Sequence, residues 1–284
     1  MKKYIKWSLI ILLILLTNSC TVIDPMPIPE LNSCDRSPAW SHDGNWIAYN
    51  YFSGEGPEND GLYVVDTNGQ NKRLILSGIA LNPSWAPDNN KLTFSSGDIF
   101  TINFNGDSLN RILDFGNAFF PCWSPNGNLI IFDITSNGLW GLWLKSLNNN
   151  KVKHLELGRD ASWAPNNQEF VYVGSFGDTD SENQLWIADT SGLNVRQLTH
   201  NNSIINRHPS WSPDGNKIAW TTDNGVEIIE TDGSNSQLLI EEASSPSWSP
   251  DSKKITFTQY KESEEKILIY TINIDGTGLK QITH

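Results

Sequence analysis

Hydrophobic and polar residues alternate in short runs from residue 36 to the end of the chain, and Gly, Pro, Asn and Asp punctuate the runs. Alternation with period two, bounded by turn residues, predicts β-strands. One set of runs is typified by Lys217-Ile218-Ala219-Trp220. A second set includes Leu62-Tyr63-Val64-Val65, Leu185-Trp186-Ile187 and Ile267-Leu268-Ile269-Tyr270. The second set ends in hairpin-type turns such as Asp66-Thr67-Asn68-Gly69 and Asp189-Thr190-Ser191-Gly192. A short closing run follows, as in Arg196-Gln197-Leu198-Thr199. Beyond the N-terminal apolar segment, no stretch carries a 3.6-residue apolar period.

The runs belong to a repeating unit. Residues 209–215 read Pro-Ser-Trp-Ser-Pro-Asp-Gly, and worn copies surround Trp40, Trp85, Trp123, Trp163 and Trp248 as well as Trp211. Successive Trp residues are 45, 38, 40, 48 and 37 apart. Three positions after each Trp stands Asp or Asn. Seven after stands Ile47, Leu92, Ile130, Phe170, Ile218 or Ile255. Nine after stands Tyr49, Phe94, Phe132, Tyr172, Trp220 or Phe257. Within the phrase, Ser-Pro-Asp-Gly has the residue preferences of a type I turn. Each unit therefore reads as four strands, and stacking neighbouring units buries the faces that carry the aromatics. The predicted fold is all-β: a six-bladed β-propeller of four-stranded antiparallel blades. An open solenoid is the alternative, but the unit is long for one.

Pro-Ser-Trp-Ser-Pro-Asp-Gly, followed by Lys-Ile-Ala-Trp and then Arg-Gln-Leu-Thr-His, resembles the WD-like propeller repeat of the TolB family. The resemblance covers residues 36–284 and implies six blades. TolB itself carries an extra N-terminal domain, which residues 21–35 are too short to supply, so the resemblance is to the propeller. Prolyl-oligopeptidase-like peptidases share this repeat type, but they need a Gly-x-Ser-x-Gly elbow, which is not found here. Related oligogalacturonate lyases use histidine-bound metal. Of His42, His154, His200, His208 and His284, only His208 is placed to approach a central channel, and one histidine is not a metal cluster. No catalytic constellation, metal or cofactor is therefore expected. Ser212 and Ser249 read as turn residues rather than nucleophiles.

The N-terminus adds an address. Lys2, Lys3 and Lys6 precede an apolar run over residues 7–16, too short to span a bilayer. Residues 1–19 read as a signal peptide. Leu16-Thr17-Asn18-Ser19-Cys20 resembles the lipobox of bacterial lipoproteins, although Thr17 stands where Leu is usual. The resemblance implies cleavage before Cys20 and acylation of its sulfur. Residues 20–35, with Pro25, Pro27 and Pro29, read as an extended tether of about 40 Å. Thr21 after the Cys points by analogy to the outer membrane, with the body facing the periplasm or the surface. Cys34 and Cys122 are expected to be unpaired or buried.

Charge narrows the partners. The chain has formal charge −12, and removing residues 1–19 leaves 17 basic against 32 acidic side chains, or −15. Such a chain repels phosphate backbones and is not expected to bind nucleic acid. The innermost strand of a propeller presents side chains to the channel. Four residues before the Trp, Arg36, Arg159 and Arg207 share one register, with Asp160 and His208 beside them. These five are candidates for a channel mouth that takes a carboxylate or acidic peptide; alternatively, the arginines pair locally to hold the ring. Three long loops between second and third strands carry Glu55, Glu58, Asp60, Asp178, Asp180, Glu182, Glu262, Glu264 and Glu265, an expected acidic rim. The functional expectation is a lipid-anchored envelope monomer that touches the membrane through its anchor alone. Its propeller binds a protein or peptide without catalysis. A polysaccharide-binding module or a metal-dependent lyase-like propeller is the alternative.

Overall fold

The computed structural model describes residues 33–54, 58–136, 139–174, 183–200, 203 and 205–284, and all regular structure among them is β. The signal peptide, Cys20, most of the tether and the acidic residues Glu55, Asp178, Asp180 and Glu182 lie outside the described residues. The first copy of the phrase belongs to β1 (Ser33–Trp40), β2 (Trp46–Phe52), β3 (Gly61–Asp66) and β4 (Arg73–Ser77). The second belongs to β5 (Leu81–Trp85), β6 (Lys91–Ser95), β7 (Ile99–Asn103) and β8 (Asn110–Arg111), and the third to β9 (Ala118–Trp123), β10 (Leu129–Ser136), β11 (Leu139–Ser146) and β12 (Val152–His154). Next come β13 (Arg159–Trp163), β14 (Glu169–Gly174), β15 (Gln184–Asp189) and β16 (Val195–Gln197), then β17 (Asn206–Trp211), β18 (Lys217–Thr222), β19 (Gly225–Glu230) and β20 (Gln237–Glu241). The last copy belongs to β21 (Ala243–Trp248), β22 (Lys254–Lys261), β23 (Lys266–Asn273) and β24 (Lys280–Gln281).

Every unit is an antiparallel meander of contiguous chain. Four units form separate four-stranded sheets, while the first and last merge into one eight-stranded sheet. The merger is a short parallel pairing of Ser33 with Lys266 and Cys34 with Ile267. Innermost strands touch in cyclic order: β1, β5, β9, β13, β17, β21 and back to β1. The molecule is thus an all-β propeller with four-stranded antiparallel blades. The boundary drawn at residue 36 moves to Ser33. Residues 33–35 are strand rather than tether, because they close the seam between first and last sheets, where Cys34 and Asp35 are buried.

The repeated apolar positions form the inter-blade cores. The residues seven and nine after each Trp are at most 1 % exposed. Both faces of each sheet are covered by neighbours, so these strands bury consecutive residues rather than alternate ones. Burying each such side chain contributes roughly 1.5–3 kcal/mol. The turn of the phrase closes with a hydrogen bond from the fourth residue's N–H to the first residue's carbonyl in every copy, as in Gly215 to Ser212 (2.9 Å). The Ser212 hydroxyl donates to Asp214 (2.6 Å) and accepts from Lys217 N–H (2.9 Å). Both its hydrogen-bonding roles are therefore spent inside the turn.

Neighbouring blades are joined in two alternating ways. At the junctions after the first, third and fifth copies, a polar side chain ten residues after the Trp accepts the next copy's bulge N–H. Asn50 accepts from Asn82 (3.0 Å), Asp133 from Asp160 (2.9 Å) and Thr221 from Ser245 (2.9 Å). There the next indole also donates back: Trp85 to Ala39 (3.0 Å), Trp163 to Cys122 (3.2 Å) and Trp248 to Ser210 (2.9 Å). At the intervening junctions the donor on the next copy is instead the backbone of the Trp, in the same direction around the ring. Trp123, Trp211 and Trp40 donate backbone N–H groups to Ser84 (3.3 Å), Ser162 (3.0 Å) and Ser247 (3.2 Å). The Trp40–Ser247 bond spans 207 positions and closes the ring. The ring is therefore held at every junction, by two kinds of bond in alternation.

The loop expected between Gln259 and Glu265 is a tight hairpin. β22 and β23 pair down to Lys261 opposite Lys266, leaving four residues at the turn. Lys261 and Glu264 pair across it at 2.5 Å.

Candidate functional site: the central channel

Each innermost strand slips register at the same point, between the residues four and one before its Trp, as in Arg36/Ala39 and Arg207/Ser210. This is a β-bulge, a device that re-aims a side chain. The residue three before the Trp adopts positive φ in all copies: Ser37 (49°), Asn82 (52°), Phe120 (50°), Asp160 (56°), His208 (50°) and Ser245 (56°). Asn, Asp and His tolerate this region best, whereas bulky Phe120 is the strained member. All of them line a cavity of about 450 Å³ in the middle of the ring, together with the prolines and tryptophans of the phrase.

These bulge side chains meet one another. Asn82 Nδ2 donates to Ser37 Oγ (3.2 Å). The Asp160 carboxylate accepts the His208 backbone N–H. Ser245 Oγ and His208 Nδ1 lie 3.4 Å apart, and the His208 ring faces Phe120 at 5.8 Å. They form a constriction. From it the cavity runs toward the turn face, where His42, Pro125, Pro165, Pro213 and Pro250 contribute to its wall. Desolvation lowers the His208 pKa, with Arg207 and Arg159 adding to the fall and Asp160 opposing it. Burial raises Asp133 well above the carboxylate range, and the charge of Asp160 raises it further.

The five channel-mouth candidates divide. Asp160 and His208 line the cavity; the three arginines are not among its lining residues. Arg159 and Arg207 sit on adjacent inner strands, which touch. Arg36 stands on β1, across the ring from them, with its guanidinium carbon 5.4 Å from the centre of the Phe52 ring. Desolvation brings its pKa down to about 10. Residues Glu58, Asp60, Glu262, Glu264 and Glu265 of the expected rim are on loops that connect second to third strands. Asp60 is engaged locally, accepting from Ser53 N–H (2.8 Å). Cys122 is a free thiol, pushed up to about 11 by desolvation. Cys34 is disulfide-bonded, not to Cys122.

Sequence reading missed Asn50, Asp133 and Thr221. Their signal is a polar residue at the same offset in copies one, three and five, inside a strand that is otherwise buried. It also missed that the bulge positions share one backbone conformation, which the run of Ser, Asn, Asp, His and Ser there encodes. Among the described residues, no group of three or more His, Cys, Asp or Glu side chains is arranged to hold a metal ion.

The comparisons with known proteins follow from this geometry. Residues 26–181, more than half of the chain, match the family described as TolB beta propeller domain. The chain belongs to this family. A Tol-Pal system protein TolB from Francisella tularensis subsp. mediasiatica is 27 % identical over 219 residues, covering 70 % of this chain and 49 % of the relative. The chain thus spans about half the length of the curated relatives it matches. The crystal structure of TolB from Acinetobacter baumannii superposes with TM-score 0.72 at 23 % identity, over 82 % of this chain and 62 % of that one. An oligogalacturonate lyase in complex with manganese superposes with TM-score 0.58 at 12 % identity, over 90 % of this chain and 79 % of that one. At these identities the two structures speak to fold alone. The family this TolB-type chain matches is a propeller domain, not an enzyme family.

Proposed function

We propose that this chain is a lipid-anchored cell-envelope protein whose six-bladed propeller binds a protein or peptide partner without doing chemistry. The observation that carries the reading is the channel. A ring of repeated phrases leaves a cavity of about 450 Å³, within the roughly 300–1,000 Å³ typical of ligand sites. Its wall is rigid, because inter-blade bonds hold every Trp-bearing strand. Rigid walls lower the ordering cost of binding an extended segment. The relatives' name, Tol-Pal system protein TolB, supports an envelope setting and a protein partner. The acidic loops between second and third strands would supply specificity on the face opposite the phrase turns.

The test is selection of binders from a random peptide library on the purified propeller. Ser210 lines the cavity, and no hydrogen bond of its side chain holds the fold together. Ser210→Trp should fill the cavity and abolish binding of the selected peptides. Binders indifferent to that substitution would place recognition elsewhere.

Lipid anchoring rests on the Leu16–Cys20 segment and is tested on the same sulfur. Intact mass and peptide mapping of membrane-extracted protein should find Cys20 acylated. A Cys20 linked to Cys34 instead would exclude acylation, since one sulfur cannot carry both.

A further inference from the structure

Two arginines stand on touching strands of this acidic protein, with Asp160 the carboxylate whose charge acts on Arg207. Arg159 and Arg207 occupy the same position, four before the Trp, on the adjacent strands β13 and β17. Each is only partly exposed. Among the described residues neither forms an ion pair. The one hydrogen bond of the Arg159 guanidinium is to a neutral partner, the Asn183 amide oxygen (3.3 Å). Arg207 forms none. Desolvation lowers the Arg207 pKa, the charge of Arg159 lowers it further and the charge of Asp160 opposes the fall, so the two arginines and Asp160 lie within one another's field. The nearest carboxylates are committed. Asp160 accepts the His208 backbone N–H, and both oxygens of Asp133 accept the Asp160 N–H (3.0 and 2.9 Å). Among the described residues, neither donor fork therefore meets a carboxylate in an ion pair.

We propose that Arg159 and Arg207 form a binding site for a carboxylate, at the end of the channel opposite the phrase turns. Guanidinium forks match the planar geometry of a carboxylate and bind it through paired charge-assisted hydrogen bonds. The surroundings select a monoanion. Asp160 repels a dianion such as phosphate more strongly than a single carboxylate. Arg36 takes no part, because it lies across the ring on Phe52. The carboxylate would be the end or an acidic side chain of the partner segment. In that respect the site rests on the reading of the propeller as a peptide-binding scaffold.

Two-dimensional NMR of the arginine Nε–Hε groups tests this on the full folded chain. N-Acetylglycine, a single carboxylate, is titrated at constant ionic strength, with inorganic phosphate and chloride as comparison anions. N-Acetylglycine should shift the Arg159 and Arg207 resonances saturably at millimolar concentrations. Binding should weaken roughly tenfold or more in Arg207→Gln and in Arg159→Gln, with Arg207→Lys intermediate. Thermal melts confirm that each variant folds. His208 gives a second readout. A bound anion offsets the two arginine charges, so the His208 pKa should rise on binding, and His208→Gln assigns its signal. Saturation by a free-acid peptide but not its amide assigns a C-terminal carboxylate; equal binding of an amidated acidic peptide assigns a side chain. N-Acetylglycine shifts that never saturate, that survive both Gln variants, or that phosphate outcompetes would overturn the proposal. A failed peptide selection with an intact N-acetylglycine titration would count against the scaffold reading alone.

Discussion

Replacing Asp35 with Asn should stabilise this propeller at neutral pH and leave it unchanged in acid. Asp35 is 3 % exposed and lies in the strand that closes the ring. Burial raises its pKa from the ordinary 3.8 to about 6, even though Thr283, Lys72 and Lys266 each act to lower it. One oxygen, Oδ1, has no hydrogen-bond partner. Below pH about 4 the carboxyl is protonated in both folded and unfolded chains. Between that pH and about 6 the folded chain binds the proton more tightly, so stability falls as pH rises. Above the folded pKa the loss is complete, and the shift corresponds to about 3 kcal/mol. The Asp35→Asn substitution would remove the charge at nearly constant shape. The new amide N–H beside the unpartnered position would cost about 1 kcal/mol. The expected net gain at pH 8 is about 2 kcal/mol, falling to nothing or slightly below near pH 4. Chemical denaturation of both proteins at pH 4, 6 and 8 measures it, with m-values checked for equality. Equal stability at pH 8, or a gain independent of pH, would refute the account of Asp35 as a desolvated charge.

Ser247→Ala removes the acceptor for Trp40 N–H at the seam. It should cost about 1–2 kcal/mol by denaturant titration, with Ser84→Ala and Ser162→Ala comparable; losses near zero would show that these bonds do not hold the ring. Gly158→Ala should be far more damaging. A Cβ there would lie 1.9 Å from the Val173 carbonyl oxygen, so a loss of about 3 kcal/mol or more, or no soluble protein, is expected. Asn167 holds a positive φ of 61° while its side chain accepts Asn126 N–H at 2.7 Å. Asn167→Ala should therefore cost about 1–2 kcal/mol by losing the bond and straining the backbone, whereas Asn167→Gly should cost less.

The fold was legible because its information is local and repeated. The Trp phrase, the turn after it and the apolar residues seven and nine positions on recur at fixed offsets in every copy. The turn hydrogen bonds and the fully buried Ile218 and Trp220 bear that reading out. The candidate site was legible in position but not in grouping. Asp160 and His208 were placed at the channel, and both line the cavity. Arg36, however, was grouped with Arg159 and Arg207 on shared register alone. Register within a repeat says how far along its strand a residue lies, not which neighbour its side chain meets. The long loop expected after Gln259 was also overdrawn: Lys261 and Lys266 extend the ladder, which polar side chains do not advertise.

By itself the sequence determined an all-β propeller, the strands within each blade and the buried aromatic face of each unit. These follow from patterns that span a few residues and recur at nearly constant spacing. Only the tertiary structure decided the alternation of junction types, the closure of Trp40 on Ser247 and the placement of Arg159 and Arg207 on touching strands. Those contacts join residues dozens to hundreds of positions apart. Their geometry depends on how blades twist against one another, and no local periodicity carries that twist.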